Sequence, residues 1–149
     1  MSNDAQQIDA EAVGRAAARL ALERQARDVK LLFVGDRLGI AEYFVLATVN
    51  NRRQARAVRD AVRLGLKDLG VGVPMAASED PDGRWSLYDY GGVVLHMFDD
   101  EGRSFFDLDA LWADVPTLQV EDGVAADAPL TARAPAGADD DFADEESLP

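Results

Sequence analysis

An α/β fold with a mixed β-sheet packed against helices is predicted by three observations. The periodic segments run helix, strand, strand, helix, a short strand, two strands and a last short helix. That order is not the strict strand–helix alternation of a doubly wound sheet. The stretch Arg84–Pro116 holds two apolar runs around Gly91-Gly92, followed by an aromatic segment. Finally, 149 residues with 48% hydrophobic content suit one domain with a sizeable core.

Residues 1–8 are polar and are expected to form a flexible N-terminus. A helix is expected over Ala10–Arg27, with Asp9 as N-cap and Val13, Ala16, Ala17, Leu20 and Ala21 on one face. Val29–Val34 reads as a strand, Gly35–Gly39 as a loop and Tyr43–Val49 as a second strand rich in aromatic and β-branched residues. Asn51 and Gln54 stand in the capping-box relation before a long helix. Ala55, Val58, Val62, Leu66 and Leu69 make its apolar face, and Gly70 stops it. Gly65 inside that helix costs about 1 kcal/mol relative to alanine, which points to close packing there.

Val71–Met75 is expected as a short edge strand, limited by Pro74, and Ala76–Gly83 as a loop ending in the Pro81-Asp82-Gly83 turn. After the hairpin, Asp99–Gly102 reads as an acidic turn. Asp107 caps a short helix, Leu108–Ala113, which Asp114 and Pro116 end. From Thr117 onward alanine, aspartate, proline and glycine dominate and no periodicity survives. The folded domain is thus expected over residues 9–116, with a disordered acidic tail over residues 117–149.

A two-residue turn at Gly91-Gly92 fixes the hairpin register. Trp85 then pairs with Phe98, Leu87 with His96, and Asp89 with Val94. Side chains alternate, so Trp85, Leu87, Asp89, Val94, His96 and Phe98 share one face. Ser86, Tyr88, Tyr90, Val93, Leu95 and Met97 share the other. Asp89 and His96 are diagonal neighbours. Three roles fit them: a catalytic dyad, a structural His–Asp pair, or part of an aromatic recognition surface. Phe105, Phe106, Leu108, Leu111 and Trp112 read mainly as core, with Trp112 expected to be the partly exposed member.

The net charge is −13. Residues 117–149 carry nine acids against Arg133 alone, a net of −8, which leaves −5 for the rest. That balance argues against duplex DNA as the main ligand and favours a basic partner surface. One element runs the other way. Arg52, Arg56, Arg59 and Arg63 form a stripe on the long helix, either a solvated outer face or a contact for RNA or an acidic protein.

Enzymatic signatures are missing. The sequence has no P-loop, no dinucleotide-binding glycine pattern and no nucleophile elbow, and it has no cysteine and a single histidine. No metal or cofactor is expected. No apolar run is long enough to cross a membrane and no secretory leader is seen, so a cytoplasmic protein is expected.

The run W-S-L-Y-D-Y-G-G-V-V-L-H-M-F, followed by R-S-F-F-D-L-D-A-L-W, resembles the ribosomal silencing factor family, RsfS or Iojap. Trp85, Asp89, Gly91, Val93, His96, Arg103, Leu108, Leu111 and Trp112 carry the match, which covers about residues 9–115. Gly92 stands where the family usually has aspartate, and the acidic tail lies outside the resemblance.

The resemblance implies a non-enzymatic protein with a fold similar to nucleotidyltransferases but without their active site. It implies binding to the large ribosomal subunit through a ribosomal protein (L-fourteen in the usual naming), a block on small-subunit joining, repressed translation, and homodimers when free. Partner contacts are then expected at Trp85, Asp89, Tyr90, Gly91, His96, Arg103, Leu108 and Trp112, with rRNA contact through Arg52, Arg56, Arg59 and Arg63. Two other functions stay open: a nucleotidyltransferase-like enzyme using Asp89 or the acids near Asp99 with a metal, and an adaptor whose partner is not the ribosome.

Overall fold

The computed structural model describes residues 9–120 and Leu130. The expectations for residues 1–8, and for the tail beyond Val120 other than Leu130, lie outside the described residues. Helix α1 spans Ala10–Glu23, strand β1 Arg27–Phe33, the short helix α2 Gly35–Leu38 and strand β2 Tyr43–Thr48. The long helix α3 covers Arg52–Asp68 and is followed by β3 (Ala76–Glu79), β4 (Trp85–Asp89) and β5 (Val93–Phe98). Two short helices, α4 (Asp100–Phe106) and α5 (Leu108–Leu111), lead to β6 (Thr117–Val120).

The strands form one sheet in the order β3-β4-β5-β2-β1-β6. β2 and β5 pair in parallel at its centre and every other pair is antiparallel, so the sheet is mixed, as expected. Every residue of β2 and β5 is buried. Both faces of these strands are covered, which accounts for their nearly continuous apolar runs. Helices α1 and α3 pack on one face, where Val13, Ala17, Val58, Val62 and Leu66 meet Val45, Tyr88, Leu95 and Met97. The α4–α5 segment packs on the other, where Leu108 and Trp112 meet Leu32, Phe44, Leu46, Val94 and Phe98.

Local chemistry sets the boundaries. Asp9 accepts a bond from Glu11 N at 3.1 Å and starts α1. Asn51 Oδ1 accepts from Gln54 N at 2.8 Å, while Gln54 reaches back to Asn50 N at 2.6 Å, one residue beyond the usual capping box. Gly65 is the close approach its sequence cost suggested. A Cβ there would lie 2.4 Å from Leu20 Cδ1, so its absence lets α1 and α3 pack tightly.

Several segments differ from expectation. Helix α1 ends at Glu23 because Gln25 turns to positive φ just past its C-cap, and Asp28, also at positive φ, sits at an irregularity in the β1 register. The loop after β1 contains α2, closed by Gly39. The edge strand is Ala76–Glu79 rather than Val71–Met75. Met75 N makes the first bond to Asp89 O, so pairing begins only past Pro74. Asp99–Gly102 is not an isolated turn: Asp99 Oδ1 accepts from Gly102 N at 2.7 Å and caps α4.

The periodic pattern also does not end at Pro116. Thr117–Val120 pairs with β1, burying Leu118 and Val120, so the folded part extends through β6. Four residues are too few for a period-2 signal to stand out, and only their pairing with β1 reveals the strand.

Candidate functional site

The hairpin holds the sequence-derived register without a slip: Trp85 pairs with Phe98, Leu87 with His96 and Asp89 with Val94. Tyr90 N bonds Val93 O at 2.9 Å, and Gly91 takes the positive φ of +97° that the turn needs. Trp85, Leu87, Val94, His96 and Phe98 therefore share the face that carries α4 and α5.

That face is only partly covered. α4 and α5 lie over β5 and β2, whereas β3 is exposed along its length and Trp85 and Leu87 are half-buried. Trp85, Leu87, Ser78, Asp80 and the half-buried Phe106 line a groove of about 200 Å³. Phe105, whose ring lies 5.0 Å from that of Phe106, is 73% exposed, and Leu111 on α5 is 61% exposed. Large apolar side chains at such exposure beside an apolar groove are what a protein-docking surface offers.

The aromatic cluster is held from beneath. The Trp85 ring lies 4.6 Å from that of Phe106 and stacks on Phe98 at 5.5 Å. Trp85 Nε1–H donates to His96 Nδ1 at 3.1 Å, which leaves the proton of a neutral His96 on Nε2. His96 is buried against Phe44, with ring centroids 4.5 Å apart. Burial pushes its pKa down to about 4, so the ring is neutral at pH 7.

Of the three roles left open for Asp89 and His96, the two that need them paired are not met. Asp89 Oδ1 instead accepts from Gly91 N at 2.8 Å, closing an Asx turn beside the hairpin loop. Its carboxylate is engaged at the strand end, while His96 Nδ1 accepts from the indole and His96 Nε2 is buried with no hydrogen-bond partner among the described residues. Neither the structural pair nor the geometry of a dyad is present.

Of the other sequence-derived site residues, Leu108 and Trp112 are buried beneath the same face. Trp112 packs edge-on to Phe44 and carries the Arg37 guanidinium 4.6 Å above its ring. The exposed members are therefore Phe105 and Leu111, not Trp112. The reason is Asp107, whose left-handed φ of +52° ends α4 and restarts α5 in a new phase. Leu108 and Trp112 then point inward together and Leu111 outward. Two short helices broken at a capping aspartate were the available signal, and reading the aromatic run as a single core segment missed it.

Tyr90 and Gly92 belong to the opposite face, beside Ala10, Val13 and Val71. A Cβ on Gly92 would lie 3.1 Å from Ala10 Cβ, so an aspartate at this position would press on the start of α1. Arg103 is buried as an internal clamp. It grips Asp109 with Nε at 2.7 Å and Nη2 at 3.0 Å, and donates to Asp28 O and Thr48 Oγ1. Burial pushes the Asp109 carboxyl up, but bonds from Arg103 and Lys30 outweigh it and hold the pKa at about 2.

The arginines of α3 lie on the other face of the sheet. Arg52, Arg56 and Arg59 border a cavity of about 290 Å³ that also takes in Glu79, Asp80, Asp82 and Asp99. Arg59 is engaged with Asp60 and Glu79, and Tyr88 donates to the same Glu79. Among the described residues, no three histidine, cysteine, aspartate or glutamate side chains group closely enough to hold a metal. No helix of the described residues is long and apolar enough to cross a membrane.

Known proteins share this chain's sequence pattern and fold. Residues 7–146 match the family model described as ribosomal silencing factor during starvation, RsfS, a span that takes in most of the acidic tail the sequence resemblance left out. The ribosomal silencing factor RsfS of Bacillus subtilis is 28% identical over 102 residues, covering 68% of this chain and 86% of that protein. The chloroplastic protein Iojap of Arabidopsis thaliana is 31% identical over 105 residues, 70% of this chain and 42% of its own length. A crystal structure of a Chromobacterium violaceum protein shares the fold with a TM-score of 0.65 at 24% identity, covering 81% of this chain and 98% of that one. The chain belongs to the RsfS/Iojap family of ribosomal silencing factors, as a divergent member.

Proposed function

We propose that this chain binds the large ribosomal subunit through the Trp85 face, docks there on a ribosomal protein (L-fourteen), and blocks joining of the small subunit. Translation is thereby repressed in the cytoplasm, without catalysis. The observation that carries this is Phe105, exposed and packed against Phe106 of the Trp85–Leu87–Phe106 groove, with Leu111 exposed on the following helix, in a member of a silencing-factor family. A net charge of −13 also suits a basic ribosomal-protein surface.

Trp85 is then the direct contact. His96, Leu108, Trp112 and Arg103 hold the face in shape from within, and Asp89, Tyr90 and Gly91 fix the end of the hairpin. The fold is taken as akin to that of nucleotidyltransferases without their active site; the mixed sheet supports the first part and a sequence lacking a phosphate-binding loop the second. Homodimers of the free chain would use a different surface, for which the exposed Leu69, Val73 and Met75 after α3 are candidates. Any rRNA contact by Arg52, Arg56, Arg59 and Arg63 would likewise lie on the opposite face from the groove.

Co-sedimentation with purified large subunits tests the docking face. The intact chain should pellet with the subunit and lower the yield of joined ribosomes. Chain left in the supernatant at physiological salt, with subunit joining unchanged, would overturn the proposal.

A further inference from the structure

The basic stripe of α3 is an anomaly in this molecule. Arg52–Asp68 carries six cations and two acids, a net of +4 in a chain of −13. Arg52, Arg53, Arg56, Arg63 and Lys67 are exposed. Among the described residues, none of these five has a carboxylate within ion-pair distance; only Arg59 is paired. Arg52, Arg56, Arg59, Arg63 and Lys67 repeat at intervals of three and four, so they line one ridge about 22 Å long.

We propose that this ridge is the docking site of the chain's own acidic segment, Asp139–Glu146. That segment, D-D-D-F-A-D-E-E, has six acids and no cation. Fully extended it spans about 25 Å, close to the length of the ridge. Its tether starts in the right place. Leu130 packs against the main core and borders a cavity with Glu11, Arg15, Phe33, Tyr43 and Pro116, at the first turns of α1.

The C-terminal end of α3 approaches the same end of α1. Val71 and Tyr90 share a cavity with Ala10 and Val13, and Arg63 acts electrostatically on Tyr90. From Leu130, residues 131–138 reach up to about 27 Å, enough to cross a neighbouring helix about 10 Å away. The acidic segment then meets Lys67 and Arg63 first and runs toward Arg52. Seated there, it occupies the arginines with internal carboxylates and shields them from the phosphates of RNA. The docking face on the other side of the sheet is left free.

The chain has no cysteine, so Ser147→Cys gives a single site for a nitroxide spin label in the full chain. At low salt the label should remove at least half the amide signal of residues along Arg52–Lys67 and leave β6 signals intact. About 0.5 M salt should restore them, because exposed charge pairs are then screened. So should a tail-neutralised chain carrying Asp139→Asn, Asp140→Asn, Asp141→Asn, Asp144→Asn, Glu145→Gln and Glu146→Gln. In parallel, a short single-stranded oligouridylate should bind the intact chain about tenfold more weakly than the neutralised one, as expected if the tail holds the ridge nine-tenths of the time.

Three results would overturn the proposal: no loss of α3 signal at low salt, equal oligouridylate affinity for both chains, or signal loss only between a labelled copy and a second, isotope-enriched copy. None of these readouts involves the ribosome, so their failure is distinct from failure of the docking face.

Discussion

His96 and Arg103 show how single buried residues shape the Trp85 face from within. His96 is neutral in the folded chain because burial holds its pKa near 4, against about 6.5 when unfolded. Between those values the unfolded chain binds the extra proton, so stability falls as pH drops from 6.5 toward 4. The loss is about 3 kcal/mol and flattens below pH 4. Urea midpoints across this range should show the slope. His96→Phe should abolish it, at the cost of leaving Trp85 Nε1 without an acceptor. Asp109 adds a second, lower window: its contribution is present above its unfolded pKa and is lost between pH 3.8 and 2. Arg103→Met removes the clamp on a partly buried carboxylate and should cost about 3 kcal/mol in denaturant unfolding. A loss below 1 kcal/mol would mean Arg103 is not the structural member its bonds describe.

At the scale of elements, α1 and α3 owe their close contact to Gly65. Alanine there gains about 1 kcal/mol of helix propensity but displaces Leu20. Gly65→Ala should therefore give no gain in the native background and about 1 kcal/mol of gain in a Leu20→Ala background, a coupling that a double-mutant cycle measures. β6 makes a second prediction. Ending the chain after Pro116 removes Leu118 and Val120 from the core and bares the β1 edge, so stability should fall by about 3 kcal/mol or more. A thermal melt unchanged by this truncation would contradict the pairing.

The same elements show what could be read in advance. The hairpin register, the Asn51 cap and the mixed sheet were legible because Gly91-Gly92, the Asn51–Gln54 spacing and period-2 faces act locally. The phase of α4 and α5, the β3 shift past Pro74 and the β6 pairing were not. Each depends on one backbone break or on a partner strand far away in sequence.

Over the whole molecule, the two faces of the sheet differ in chemistry. One carries the apolar groove together with the exposed Phe105 of α4 and Leu111 of α5; the other carries α1 and the basic ridge of α3. Trp85, named first from sequence, is a poor probe of docking, since it also packs on Phe98 and Phe106 and bonds His96. Phe105 and Leu111 are better, because their exposure separates binding from folding. The most direct measurement is co-sedimentation of the Phe105→Ser/Leu111→Ser chain with large subunits, beside its melting temperature. The chain should melt within about 2 °C of the original and yet lose most of its binding. Undiminished binding by a normally folded double variant would contradict docking through this face.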